Sequence, residues 1–174
     1  MIGANAHILQ IEDITRKEFK GVIDEKRSNI YTLIFNWNLN SLLVGEKNGC
    51  LSQYVQAPFG GFKKQKEYGD VGVGMIYACD LSENFAVVGG GNGMISLIDM
   101  KKKKVIKKGI KTAIQWIYTL QFCRLSQNKM YLAVGGLGER DYSKSKKDCL
   151  NVSKHFNFEE NKEENVKITK NKLE

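Results

Sequence analysis

The tetrapeptide Ile-Tyr-Thr-Leu occurs twice in this chain, at 30–33 and 117–120, with a weaker copy, Ile76-Tyr77-Ala78-Cys79, between them. The three copies start 46 and 41 residues apart. Each is followed by a polar turn and an apolar run ending in glycine: Leu42-Leu43-Val44-Gly45, Ala86-Val87-Val88-Gly89 and Leu132-Ala133-Val134-Gly135. A second marker keeps the same spacing. Asn5-Ala6, Asn48-Gly49 and Asn92-Gly93 lie 43 and 44 residues apart, and each precedes a short apolar segment, at Ile8, Leu51 and Ile95. A fourth segment, Leu150-Asn151-Val152, arrives 55 residues after Ile95, a delay that a polar insertion from Glu139 to Lys147 accounts for. Two independent markers with one period define a repeat, and a repeat restricts the fold more than any single motif.

Within each unit the local pattern is β. Tyr31, Leu33 and Phe35 alternate with Ile30, Thr32 and Ile34, and Tyr118, Leu120 and Phe122 alternate with Ile117, Thr119 and Gln121. Such period-two alternation marks strands packed on one face. Asn-Gly between apolar runs predicts hairpins of type I′, which need positive φ at both central residues. One more strand fits before each Ile-Tyr element, at Phe19–Ile23 and Val105–Ile110, with Gln65–Val73 a poorer candidate between them. Four short antiparallel strands per unit of about 44 residues is the arithmetic of a β-propeller blade. A β-sandwich or barrel is the competing all-β fold.

The run from Ala86 to Asp99 resembles the third strand, hairpin and fourth strand of the WD-repeat family, with Ile98-Asp99 where Trp-Asp usually stands. Ile11-Glu12 and Tyr54-Val55 hold the same place in the units before it. The resemblance covers roughly Gly3 to Val152. It departs from the family in lacking the Trp-Asp dipeptide, a Gly-His pair opening any unit, and the family's tryptophan–histidine–serine/threonine–aspartate hydrogen-bond network. The fold it implies is all-β: a partial β-propeller of about three four-stranded antiparallel blades plus a lone N-terminal strand. Units are expected at 1–12 (partial), 13–56, 57–99 and 100–156, with 157–174 a charged, mobile tail. Three blades leave open edges, so further blades or a second chain are expected to close the ring, and the chain reads as beginning within a blade.

Charge narrows the partners. Lys and Arg number 27 against 19 Asp and Glu, a formal net charge of +8. A basic balance favours acidic proteins, nucleic acid or anionic surfaces. The excess is partly local, in Lys101–Lys104 with Lys107 and Lys108, and in Lys144, Lys146 and Lys147. No apolar run reaches the roughly 18 residues of a membrane span, and no secretory leader is visible, so the expectation is an intracellular, cytoplasmic domain. Cys50, Cys79, Cys123 and Cys149 are widely spaced, and His7 and His155 are the sole histidines. That spacing predicts reduced thiols packed as small apolar residues, and neither metal nor cofactor.

Reaction chemistry finds no foothold. Gly89-Gly90-Gly91-Asn92-Gly93 opens a strand and lacks the Lys-Ser/Thr of a phosphate loop. Asp80 and Asp99 fit turn or strand-end positions where carboxylates accept backbone N–H groups. The expectation is a non-catalytic protein-interaction scaffold that binds through loops and rims, and the alternative is a nucleic-acid-binding module using the lysine-rich loops. The candidate partner-binding residues are Lys101, Lys102, Lys103, Lys104 and Trp37. By the repeat alignment the four lysines follow the last strand of one unit, which resembles the propeller connection on the face where partners dock. For Trp37 a core position is favoured over an exposed one, and Trp116 reads as core.

Overall fold

A computed structural model describes residues 2–5, 8–13, 15–25, 28–58, 61–112, 114–126, 129–138, 155–160 and 166–171. Every regular element among them is a β-strand, and the strands form four antiparallel sheets in chain order. The N-terminal sheet holds β1 (Ile2–Asn5), β2 (Ile8–Asp13) and β3 (Glu18–Glu25). The second holds β4 (Ile30–Asn36), β5 (Ser41–Glu46), β6 (Cys50–Gln56) and β7 (Phe62–Asp70). The third holds β8 (Ile76–Ser82), β9 (Phe85–Gly90), β10 (Met94–Asp99) and β11 (Lys104–Lys111). The last holds β12 (Ile114–Ser126), β13 (Lys129–Gly138), β14 (His155–Glu160) and β15 (Val166–Asn171). Each is a simple meander, and an Ile-Tyr strand opens each of the three four-stranded sheets.

The sequence repeat and the sheets are out of phase by one strand. The Phe19–Ile23 segment lies in β3, which pairs with β2 and not with β4. Val105–Ile110 lies in β11 and pairs with β10. The antiparallel register folds each of these strands back onto its predecessor. Asp13–Glu18 and Asp99–Lys104 are closed by tight hairpins, whereas the chain crosses to a new sheet through the glycine-punctuated stretch 71–75 and through Thr112. Ile8–Asp13 is accordingly the middle of a three-stranded sheet rather than a lone strand. The stretch expected as a tail contributes β14 and β15, joined to β13 at Met130–Phe158. His7, Cys149, the 139–147 insertion and Leu150–Val152 lie outside the described residues.

Three apolar layers lie between neighbouring sheets, and the middle strands feed two layers each. Leu42 and Val44 enter the layer with Tyr54 and Ile23, while Leu43 points into the next, with Ile76, Ala86 and Val88. Val87 points onward again to Ile117, Leu132 and Val134. Burial on both faces explains why these strands read as continuous apolar runs.

Asn48-Gly49 and Asn92-Gly93 occupy matching hairpin tips, but the turns are not type I′. Gly49 N donates to Glu46 O (3.1 Å) and Gly93 N to Gly90 O (3.2 Å), and only the glycines of each pair have positive φ, +83° and +70°. Each is a tight turn followed by a left-handed glycine that opens a bulge. The asparagines serve another purpose. Asn48 Oδ1 accepts from Cys50 N (3.0 Å) and Asn92 Oδ1 from Met94 N (3.1 Å), a side-chain mimic of a backbone turn.

Candidate functional site

The tyrosine of every Ile-Tyr motif is the extra residue of a β-bulge. Ile30 pairs with Glu46 and Thr32 with Gly45, leaving Tyr31 unpaired in the register. Ile76–Gly90 and Ala78–Gly89 flank Tyr77 in the same way, as Ile117–Gly136 and Thr119–Gly135 flank Tyr118. A bulge shifts the phase of the strand and re-aims a side chain. The shift is visible in the packing. Ile30 with Leu33, Ile76 with Cys79 and Ile117 with Leu120 each enter a single apolar layer, three residues apart where an unbroken strand would place them two apart.

The re-aimed rings meet. Tyr31 stacks on Tyr77 with centroids 5.2 Å apart and planes at 17°, and Tyr77 stacks on Trp116 at 6.2 Å and 16°. Tyr118 leans on both, 5.5 Å from Tyr77 and 6.4 Å from Trp116. The first strands of three successive four-stranded sheets thus supply one aromatic cluster. Tyr31 is 40% exposed and Tyr118 52%, so the cluster faces solvent. Burial, then the neighbouring Tyr31 and Tyr118 hydroxyls, push the Tyr77 hydroxyl above its usual value, and that hydroxyl donates to Met75 Sδ at 3.4 Å.

At the opposite end of the sheets lie the residues singled out in the sequence. Trp37 opens the β4–β5 turn and is 83% exposed, not core, with its ring edge-on to Phe35 at 4.7 Å. Lys101–Lys103 form the β10–β11 turn, and Lys104 begins β11. All four are exposed, but theirs is a hairpin within one sheet, not the crossing between sheets that the repeat alignment implied. The turn is held from beneath. Asp99 Oδ1 accepts from Lys102 N (2.7 Å), and buried Met100 donates its N–H to Asn84 O (2.8 Å). Asn36 Oδ1 accepts from Leu39 N (3.1 Å) in the equivalent manner under Trp37. From Tyr77 to Ser82, where β8 turns towards Asp99, the rise of about 3.3 Å per residue separates aromatic cluster and lysine turn by about 15–20 Å.

Other candidates resolve into structure. Asp80 Oδ2 accepts from Phe122 N across the sheet seam at 2.6 Å. Cys50, Cys79 and Cys123 are free thiols, and burial, with Asp80 adding, pushes the Cys79 thiol up. Among the described residues no three His, Cys, Asp or Glu side chains gather as a metal site. Trp116 lies within β12 and is half-buried in the cluster. The tyrosines were visible as a repeat marker, but alternation put Tyr31 on one face with Leu33 and Phe35. Only the bulge separates them.

No family model matches the chain, and neither does any curated protein sequence. Solved structures do. The computationally designed Ika4 protein superposes with a TM-score of 0.58 at 18% identity, over 79% of this chain and 84% of its own. The computationally designed Ika8 protein gives 0.57 at 20% identity over 76% of this chain, which spans 39% of the Ika8 chain. At such identities the likeness defines the fold: an all-β architecture of repeated four-stranded antiparallel sheets.

Proposed function

We propose that the chain is a WD-repeat-like β-propeller sector serving as a non-catalytic intracellular scaffold, which binds another protein at the Tyr31–Tyr77–Trp116–Tyr118 cluster. The observation that carries this reading is that three equivalent bulges spend regular strand pairing to bring tyrosines from three sheets to one exposed patch. Partly exposed aromatic rings dominate protein interfaces, because they offer large rigid area at low entropy cost and accept apolar, cationic or hydroxyl-bonding groups. The lysine turn, well away from the cluster, serves as a rim that steers an acidic surface. For nucleic acid, stacking rings and cations belong together on one face, whereas the Lys101–Lys104 turn stands at the opposite end from the rings.

Selection of displayed peptides against the full chain tests this. Selected peptides should lose roughly tenfold or more in affinity for Tyr31→Ala and Tyr118→Ala, the loss typical of an interface anchor. Selected peptides indifferent to both variants would remove the cluster from the account. A salt titration against single-stranded oligonucleotides reads the other class, since phosphate binding falls steeply with salt.

A further inference from the structure

We propose that Trp37 and the Lys101–Lys104 turn form a second docking site, which takes an extended acidic peptide segment carrying one apolar anchor residue. The anchor covers the indole, and the acidic run lies along the lysines. This site stands at the other end of the sheets from the aromatic cluster and does not depend on what binds there.

Contacts between neighbouring sheets bring the two halves together. Asn36, which precedes Trp37, donates from Nδ2 to Glu83 O in the β8–β9 turn at 2.8 Å and lies 3.7 Å from Met100 Sδ. Met100 in its turn precedes Lys101. Leu39, later in the Trp37 turn, packs against the apolar layer that holds Met100. The residues beneath each half therefore touch. With consecutive Cα atoms about 3.8 Å apart, Trp37 and Lys101 stand about 10–15 Å from one another. An extended segment rising about 3.3 Å per residue spans that distance in about three to five residues.

The chemistry of each half names the occupant. Trp37 is 83% exposed, yet its ring is held edge-on by Phe35 and its turn is braced by Asn36. A large ring fixed before binding loses little freedom on binding, and tryptophan is prominent among interface anchors. Lys101 to Lys104 are all exposed, and none makes an ion pair among the described residues. Four adjacent ammonium groups repel one another, and an acidic run relieves that repulsion. Glu83 is the one exposed carboxylate in the three turns, so the face stays net positive. Single-stranded nucleic acid asks instead for successive rings beneath successive bases. Among the described residues Trp37 is the one exposed ring at this end, which suits a peptide with one anchor.

Random displayed peptides, depleted on the Trp37→Ala chain and then selected on the full chain, test this. Survivors should carry an acidic run with an apolar residue about three to five positions away. As free labelled peptides read by fluorescence anisotropy, they should bind the triple variant Lys101→Ser, Lys102→Ser, Lys104→Ser at least about tenfold more weakly. Their affinity for Tyr118→Ala should be unchanged, which separates this site from the aromatic cluster. Binding should weaken as salt rises and should shield Trp37 from acrylamide. Thermal melts of both altered chains should match the parent, because the replaced side chains are exposed. Four results would each overturn the proposal: no survivors, survivors without an acidic run, affinities indifferent to the lysine replacement, or an equal loss in Tyr118→Ala. Displacement of the peptides by an equal or lower concentration of a thymidine oligonucleotide would overturn it in favour of nucleic acid.

Discussion

Gly45 and Ile76 meet across the seam between the second and third sheets, where a Cβ on Gly45 would stand 2.6 Å from Ile76 Cγ2. The relation recurs one sheet on, with a Cβ on Gly89 2.9 Å from Ile117 Cγ2. The glycine opposite each bulge therefore receives the isoleucine of the next Ile-Tyr motif. The two repeat markers are two halves of one contact. At Gly135 an added Cβ would meet Thr119 Cγ2 of its own sheet at 2.5 Å, and among the described residues none of another sheet.

Gly45→Ala and Gly89→Ala should each destabilise the protein by about 1–3 kcal/mol, the usual cost of overfilling a packed core. Gly135→Ala should cost less, because exposed Thr119 can turn its methyl aside. Urea denaturation of the three variants measures the order. Equal losses at all three positions would contradict the seam contact.

Alkaline pH should weaken the fold through Tyr68 and Cys79. Tyr68 donates its hydroxyl to Gln53 Oε1 at 2.7 Å; burial, then the Asp99 charge, raise it from 10.0 to about 12. Between those values the folded chain keeps a proton that the unfolded chain releases. The contribution is thus whole below pH 10 and is lost as pH rises towards 12. The Cys79 thiol, raised above 9.0, acts in the same direction from pH 9 upward. Tyr68→Phe should flatten the fall in stability between pH 10 and 12, followed by urea midpoints across that range. An unchanged slope would show that Tyr68 titrates alike in both states.

The repeat, the β class and the hairpin positions were legible because each depends on local spacing: Ile-Tyr, the apolar run to glycine, and Asn-Gly. The phase of the sheets was not. A strand such as Val105–Ile110 reads the same whether it closes one sheet or opens the next, and only its pairing with β10 from Asp99–Lys104 onward decides. The aromatic cluster was hidden for a related reason. Alternation assumes an unbroken strand, and one inserted residue at Tyr31, Tyr77 and Tyr118 moves each ring off the face that period two assigns it. Trp37 illustrates a third limit. Trp37 follows Asn36 as Met100 follows Asp99, each in a turn closed by the same side-chain contact, yet Trp37 is exposed and Met100 buried.

Replacing Lys101, Lys102 and Lys104 with serine should leave the melting temperature nearly unchanged, since exposed charges contribute little to stability. Lys103 differs from its neighbours. Its φ of +54° is a conformation that glycine adopts without penalty, so Lys103→Gly should stabilise by up to about 1 kcal/mol. Paired thermal melts check both statements. A large drop in the triple variant would mean that the lysines brace the fold.

The two tryptophans should report on the two ends of the sheets separately. Trp37, 83% exposed, should give long-wavelength emission that acrylamide quenches readily, whereas Trp116 is half-buried against Tyr77 and Tyr118. Trp37→Phe should therefore shift the emission to shorter wavelength and reduce quenching. In that background Tyr77→Ala should undo both changes, because it removes the ring that stacks on Tyr31 and Trp116 together. Stacked pairs add about 0.5–1.5 kcal/mol beyond the area they bury, so the same substitution should also lower the urea midpoint modestly. Fluorescence of Trp116 indifferent to Tyr77→Ala would show that the rings of neighbouring sheets do not meet in solution.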